Sequence, residues 1–274
     1  MKQSIAELQA SANTIRQDIV KMLHEAGSGH PGGSLSAADI MAALYFNVMN
    51  IDPKNPAMDN RDRFVLSKGH AAPVLYAALA NRGYFPKEEL MKLRKMGAML
   101  QGHPDMKGTP GVDMSTGSLG QGISASVGMA LAAKLDETDV RTYTLLGDGE
   151  LNEGLVWEAV MAAAHYKLAN LTAIVDFNGL QIDGRNVDVM NPNPIDAKFE
   201  AFGWHVIEVD GNDMEQVLKG FDQAAAETGR PSVIIAKTIK GKGVSYMEDQ
   251  AGWHGAAPNA EQTEQAIKEL GGTL

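Results

Sequence analysis

At 274 residues, 44% of them apolar and 21% charged, the chain is long enough to bury a substantial core and has an ordinary globular composition. A net charge of −10, with no block of Lys and Arg, argues against nucleic acid or an anionic membrane as the main partner. The absence of cysteine excludes thiol catalysis, disulfides and thiolate-bound zinc.

Met1 to Glu25 carries Lys2, Glu7, Arg16, Asp18 and Lys21 among apolar positions, which is an amphipathic helix pattern and not a signal peptide. Gly27 stops that helix. No stretch is apolar enough to span a bilayer, so the cytoplasm is the expected location. A second helix is expected over Ser36 to Met49, capped by Ser34 or Ser36 with Asp39 in its first turn. Ala71 to Arg82 reads as a third helix and Lys87 to Lys95 as a fourth, ended by Gly97. Ser118 to Leu135 reads as a buried helix whose small residues, from Gly120 to Ala132, let a neighbouring backbone come close. Strand and helix then alternate: β over Arg141 to Leu146, α over Glu153 to Lys167, β over Leu171 to Phe177, β over Trp204 to Val209, α around Met214 to Thr228, and β over Ser232 to Lys237. That order predicts an α/β fold, a parallel sheet with helices on both faces, whose ligands bind beyond the carboxyl ends of the strands. With no repeat or linker, one domain over 1–274 is expected.

Gly147-Asp148-Gly149-Glu150-Leu151-Asn152-Glu153-Gly154 lies where a strand gives way to a helix. Glycines on both sides of Asp148 open the backbone N–H groups to an anion. A carboxylate there repels phosphate unless a cation lies between them, a role suited to Mg2+. The next strand ends in Asp176-Phe177-Asn178-Gly179-Leu180, with Asn178 thirty positions after Asp148, about one βαβ step. Asn178 offers a side-chain oxygen and Leu180 a backbone carbonyl. Each segment by itself reads more readily as a turn; it is their pairing that suggests a site. The run Gly117-Ser118-Leu119-Gly120-Gln121-Gly122 has the wrong spacing for a dinucleotide fingerprint.

Four of the seven histidines adjoin glycine: His30, His70, His103 and His254. Imidazoles on open loops suit hydroxyl and phosphate ligands and proton movement. Zinc is the rival use, but no short ligand pair supports it. His24, His165 and His205 fall within predicted elements and read as structural.

The Gly-Asp-Gly segment followed by Asn resembles the motif of thiamine-diphosphate enzymes. The resemblance implies Asp148, Asn178 and the Leu180 carbonyl as ligands of Mg2+ or another divalent cation, and Gly149 and Glu150 as backbone contacts to the diphosphate. Ser28-Gly29-His30-Pro31-Gly32-Gly33, Leu66-Ser67-Lys68-Gly69-His70-Ala71, Gly102-His103-Pro104 and Ser115-Thr116-Gly117-Ser118-Leu119-Gly120-Gln121-Gly122 resemble the transketolase family specifically, from about Ile15 to Gly255. That resemblance implies His30 and His103 at substrate hydroxyls and His70 and His254 at the diphosphate. It adds His30 and His254 to the donor site and to proton transfer, and places Gly117, Ser118 and Leu119 near the aminopyrimidine, with Ser118 standing where many members have proline. Lys240-Gly241-Lys242-Gly243 is either a sugar-phosphate contact or a solvated turn.

Only 37 residues follow Lys237, too few for the family's pyrimidine-binding domain. The chain therefore resembles the N-terminal subunit of a split transketolase. The pyrimidine-binding and C-terminal domains are expected on a partner chain, two copies of each chain are expected, and sugar phosphates are the expected substrates. Glu153 either couples paired sites at the interface or interacts with a helix dipole. The alternatives are a subunit like that of a deoxyxylulose-phosphate synthase or a 2-oxoacid dehydrogenase, or a non-catalytic cofactor-binding subunit; the four histidines argue against the dehydrogenase.

Overall fold

The computed structural model describes residues 2–273. Its elements are α1 (Ile5–Ala26), α2 (Pro31–Ser36), α3 (Ala38–Ala43), β1 (Arg63–Leu66), α4 (Ala72–Arg82), α5 (Gln121–Leu135), β2 (Thr142–Gly147), α6 (Gly154–His165), β3 (Leu171–Phe177), a small hairpin of β4 (Leu180–Gln181) and β5 (Gly184–Arg185), α7 (Asn186–Val189), α8 (Ile195–Ala201), β6 (His205–Asp210), α9 (Met214–Ala226), β7 (Ser232–Lys237) and α10 (Ala260–Glu269). Five strands form one parallel sheet in the order β1-β2-β3-β7-β6.

Side-chain alternation along the strands divides the core in two. Tyr143, Leu145, Ile174, Ile207, Val209, Ile234 and Ala236 face α1, α3, α4 and α9. Leu146, Leu171, Ala173, Val175, Val233 and Ile235 face α5, α6 and α8. A strand buried on both faces reads as a continuous apolar run, which is why β3 and β7 are the clearest strands in the sequence. Burying polar groups in this core requires partners for them; the fully buried Trp204 donates its indole N–H to the Val160 carbonyl at 2.9 Å. Among the described residues no helix is long and apolar enough to cross a membrane.

Three helix expectations need correction. The second helix starts earlier and is broken: Pro31 opens α2, Ala37 interrupts it at φ −88°, ψ 0°, and α3 ends in a π turn over Leu44–Val48. The serines expected as caps are used otherwise. Ser34 Oγ donates back to the His30 carbonyl at 2.7 Å, and Ser36 Oγ donates to Asp176 at 2.6 Å. Lys87–Lys92 is only 3-10 turns, because Leu90 and Leu93 both reach the core at a spacing of three residues. The chain then reverses through Arg94, whose N–H donates to the Leu100 carbonyl at 2.9 Å. The helix expected from Ser118 begins at Gln121, because Gly120 holds a left-handed φ of 80°.

The close backbone approach expected of α5 is found at its first turn, and the helix buries one face as far as Ala133 while its other face is open. A Cβ on Gly122 would lie 2.5 Å from Ser67 Cα, so this helix rests on the chain leaving β1. Gly128 faces open space, and Leu135 is exposed. Urea unfolding of Gly122→Ala should show a loss of about 1–3 kcal/mol from overpacking. Gly128→Ala in the same helix should gain about 0.5–1 kcal/mol from backbone entropy. Equal effects at the two positions would refute the close approach.

Candidate functional site

The carboxyl ends of four adjacent strands supply the site. β1 leads into Ser67 and Lys68, β2 into Asp148, β3 into Asp176 and Asn178, and β7 into Thr238 and Lys240. Beneath it lies a buried ion pair. Lys68 Nζ contacts Asp176 Oδ2 at 2.5 Å and donates to the Gly33 carbonyl at 2.7 Å. Asp176 also accepts hydrogen bonds from Ser36, Thr238 and the Asn178 amide. Burial pushes its carboxyl up, but Lys68 and the Ser36 and Thr238 hydroxyls outweigh that and hold it below the usual value.

Above the pair is a cavity of about 270 Å3. His30, His70 and His254 line it, as do Gly117 and Leu119. Asp148, Gly149, Glu150, Asn178 and Leu180 complete the expected part of its wall. Ser118, His103 and Glu153 do not line it. His103 is exposed and packs over Gly117; its ring lies 3.2 Å from where a Gly117 Cβ would stand. Glu153 is exposed at the start of α6.

Asp148 is buried, accepts N–H donors from Gly149 at 2.8 Å and Gly179 at 2.6 Å, and forms no ion pair among the described residues. Burial, then the charge of Asp176, pushes its carboxyl up to about 6. A carboxylate held this way is stabilised by an adjacent cation. Asn178 donates its Nδ2 to Asp176 at 3.2 Å, which turns Oδ1 away from that carboxylate. With the Leu180 carbonyl on the same wall, one carboxylate and two neutral oxygens form a hard donor set that fits Mg2+ with waters and phosphate oxygens.

Glu150, expected to offer its backbone to the diphosphate, lies on the cavity wall, and its side chain has a separate task. Its buried carboxylate accepts from Ser67 Oγ at 2.5 Å, Gly120 N at 2.8 Å and Gly147 N at 3.1 Å, tying three loops together. Burial pushes its carboxyl up.

The three cavity imidazoles lie with ring centroids 5.2–5.4 Å apart. Burial first, then neighbouring lysines, arginine or histidines, depress them: His30 and His254 to about 4 and His70 to about 2. Burial and Arg94 also lower His103.

Two cations at the site escape the sequence reading. Lys68 stands there only as one letter of a motif, although it is 2% exposed. Lys240, for which the sequence allows a sugar contact or a solvated turn, is buried, 3.3 Å from the Leu180 carbonyl and 3.1 Å from His254 Nδ1. Burial pulls its ammonium down to about 8. Its neighbour Lys242 pairs instead with Glu248 at 3.5 Å. The available signal is the glycine after it, Gly241, which holds a left-handed φ of 78° in the structure. Of the remaining histidines, His24 contacts the Pro258 carbonyl, His205 contacts Ser232 and His165 is exposed, none of them at the cavity.

Residues 7–273 match the family described as "Transketolase, thiamine diphosphate binding domain". A 6-deoxy-6-sulfo-D-fructose transketolase subunit from Clostridium sp. (strain MSTE9) is 47% identical, with 98% of each chain covered. An apulose-4-phosphate transketolase subunit from Phocaeicola vulgatus is 44% identical, covering 98% of this chain and 95% of that protein. The solved transketolase of Campylobacter jejuni superposes with a TM-score of 0.93 at 38% identity, over 98% of this chain and 43% of the other. The chain thus spans less than half the length of that solved enzyme but nearly all of the two subunits. Sequence and fold agree that the chain belongs to the transketolase family, in its thiamine-diphosphate-binding domain.

Proposed function

We propose that this chain is the N-terminal subunit of a two-chain transketolase, holding thiamine diphosphate and Mg2+ while a two-carbon ketol unit passes from a ketose phosphate to an aldose phosphate. The observation that carries the reading is the meeting, in one cavity at four strand ends, of a hard oxygen set, two buried lysines and three neutral imidazoles. Asp148, Asn178 and the Leu180 carbonyl hold the cation. Lys68 and Lys240 offset the charge of a diphosphate, with His70, His254 and the Gly149 and Glu150 backbone beside it. Gly117, Ser118 and Leu119 border the aminopyrimidine. When bound, thiamine diphosphate supplies the electron sink for carbon–carbon cleavage.

His30, His103 and His254 bind sugar hydroxyls and carry protons. Neutral imidazoles suit this, since each offers both a donor and an acceptor. A charged Lys240 can only donate to His254 Nδ1, which leaves the His254 proton on Nε2. Glu153 serves the contact between subunits. The chain acts as one diphosphate-binding domain, and its partner carries the pyrimidine-binding half, two copies of each assembling in the cytoplasm. The names and lengths of the two subunit relatives support that division.

Calorimetry of thiamine diphosphate with Mg2+ should show weak binding to this chain alone and tight binding once its partner is added. The mixed complex should transfer ketol units between sugar phosphates. Tight binding alone with no change on mixing, or no transfer by the complex on any common pair, would sink the reading.

The histidines also predict a pH dependence. Unfolding returns His30 and His254 from about 4 to their ordinary 6.5. Between these values the unfolded chain binds more protons, so stability present above pH 6.5 is lost as pH falls toward 4. Urea unfolding of wild type and His254→Asn at about pH 7 and about pH 5 should show a smaller acid loss in the variant. An equal loss would mean that this imidazole does not titrate on unfolding.

A further inference from the structure

Asn186 begins α7, just past the hairpin that flanks the cavity, and is 1% exposed. Its backbone is fully engaged: its N–H donates to the Gly179 carbonyl at 2.9 Å, and its carbonyl accepts from Met190 N at 3.0 Å. Its side chain is not. Neither Nδ2 nor Oδ1 has a hydrogen-bond partner, although both are buried. A buried primary amide with both ends unmet is rare in folded proteins and calls for a reason. Packing does not provide one, since an apolar side chain of similar size would fill the space without the desolvation cost.

The surroundings point to a ligand. The amide borders the Asp148 carboxylate and favours its charged form without closing a hydrogen bond to it. Oδ1 lies 3.9 Å from where a Cβ on Gly149 would stand, beside the glycine that opens the cavity wall. Asn186 thus sits behind the oxygen set proposed for a divalent cation, in a part of the chain that none of the expected motifs includes.

We infer that Asn186 is a positioning residue for that cation, its amide nitrogen bracing the Asp148 carboxylate and its amide oxygen kept free to accept from a cation-bound water. This role rests on the proposed Mg2+ site. Mg2+ dehydrates reluctantly and keeps waters when few protein oxygens bind it, so its waters need acceptors. Groups behind metal ligands fix the orientation of those ligands, and their loss typically weakens metal affinity about 10- to 100-fold. The amide waits unpaired in the free chain because its partner arrives with the cation.

The signs of two measurements separate a ligand-directed role from a structural one. Asn186→Leu should leave the thermal midpoint of the cation-free chain unchanged or raised, because it replaces a buried amide without hydrogen-bond partners by an apolar side chain of similar size, whereas Asn186→Ala carries the added cost of a small cavity. In the two-chain complex, the Mg2+ concentration that half-saturates thiamine diphosphate binding, read by calorimetry, should rise about tenfold or more. An unchanged Mg2+ requirement would overturn the inference. So would a raised requirement accompanied by a lowered midpoint in both variants, since fold damage would then account for it. If the wild-type complex binds thiamine diphosphate with no need of a divalent cation, the metal reading fails first and the inference falls with it.

Discussion

Lys68 and Asp176 are both almost wholly removed from water, and their pairing constrains everything built above them. Two charges taken into a protein interior are tolerated only when their remaining hydrogen-bonding capacity is met. Here it is met by the Gly33 carbonyl, the Ser36 and Thr238 hydroxyls and the Asn178 amide, drawn from separate parts of the chain. Any shift of one strand end relative to the others would strand a charge. The same carboxylate decides which way Asn178 points, so the orientation of an expected metal ligand follows from an ion pair below the cavity.

The cavity wall carries both signs of charge, Lys68 and Lys240 standing with Asp148 and Glu150. The chain carries a net charge of −10, yet the cavity holds two buried lysines. Burial first, and then nearby positive charge including these lysines, lowers the neighbouring imidazoles. Positive charge is therefore concentrated in groups of fixed position, while the histidines stay free to exchange hydrogen bonds with hydroxyls.

The sheet's interior strands are legible in the sequence because burial on both faces leaves an unbroken apolar run, and β3 and β7 appear at their expected residues. The short edge strand β1 is not, since four residues give too little pattern to separate from a loop. Expected helix limits fail where the segment is buried all round, as in α2 and α3; without an exposed face there is no periodicity to read. The cavity wall is legible where glycine adjoins a polar side chain, as at Asp148, His30, His70 and His254. It is not legible where a long side chain turns inward to the cavity. Lys68 is only one letter of a motif in the sequence, and Lys240 could equally be a sugar-phosphate contact or a solvated turn, until the fold closes over them. Asn186 is invisible for a different reason: its significance is an unmet hydrogen bond, which no sequence pattern records.

The order of the sheet also bears on how the chain is made. β7 lies between β3 and β6 but is the last of the five strands to be synthesised. Until it emerges, β3 presents an open edge and β6 has no neighbour to pair with. Thr238, Lys240 and His254 all follow β7, so a nascent chain ending before them carries Asp176 without its full set of donors and the cavity without one wall. Such long-range pairing slows folding, because loop closure must precede the contacts that reward it. The interval before β7 arrives is thus the period in which this chain is most exposed to mispairing on the ribosome.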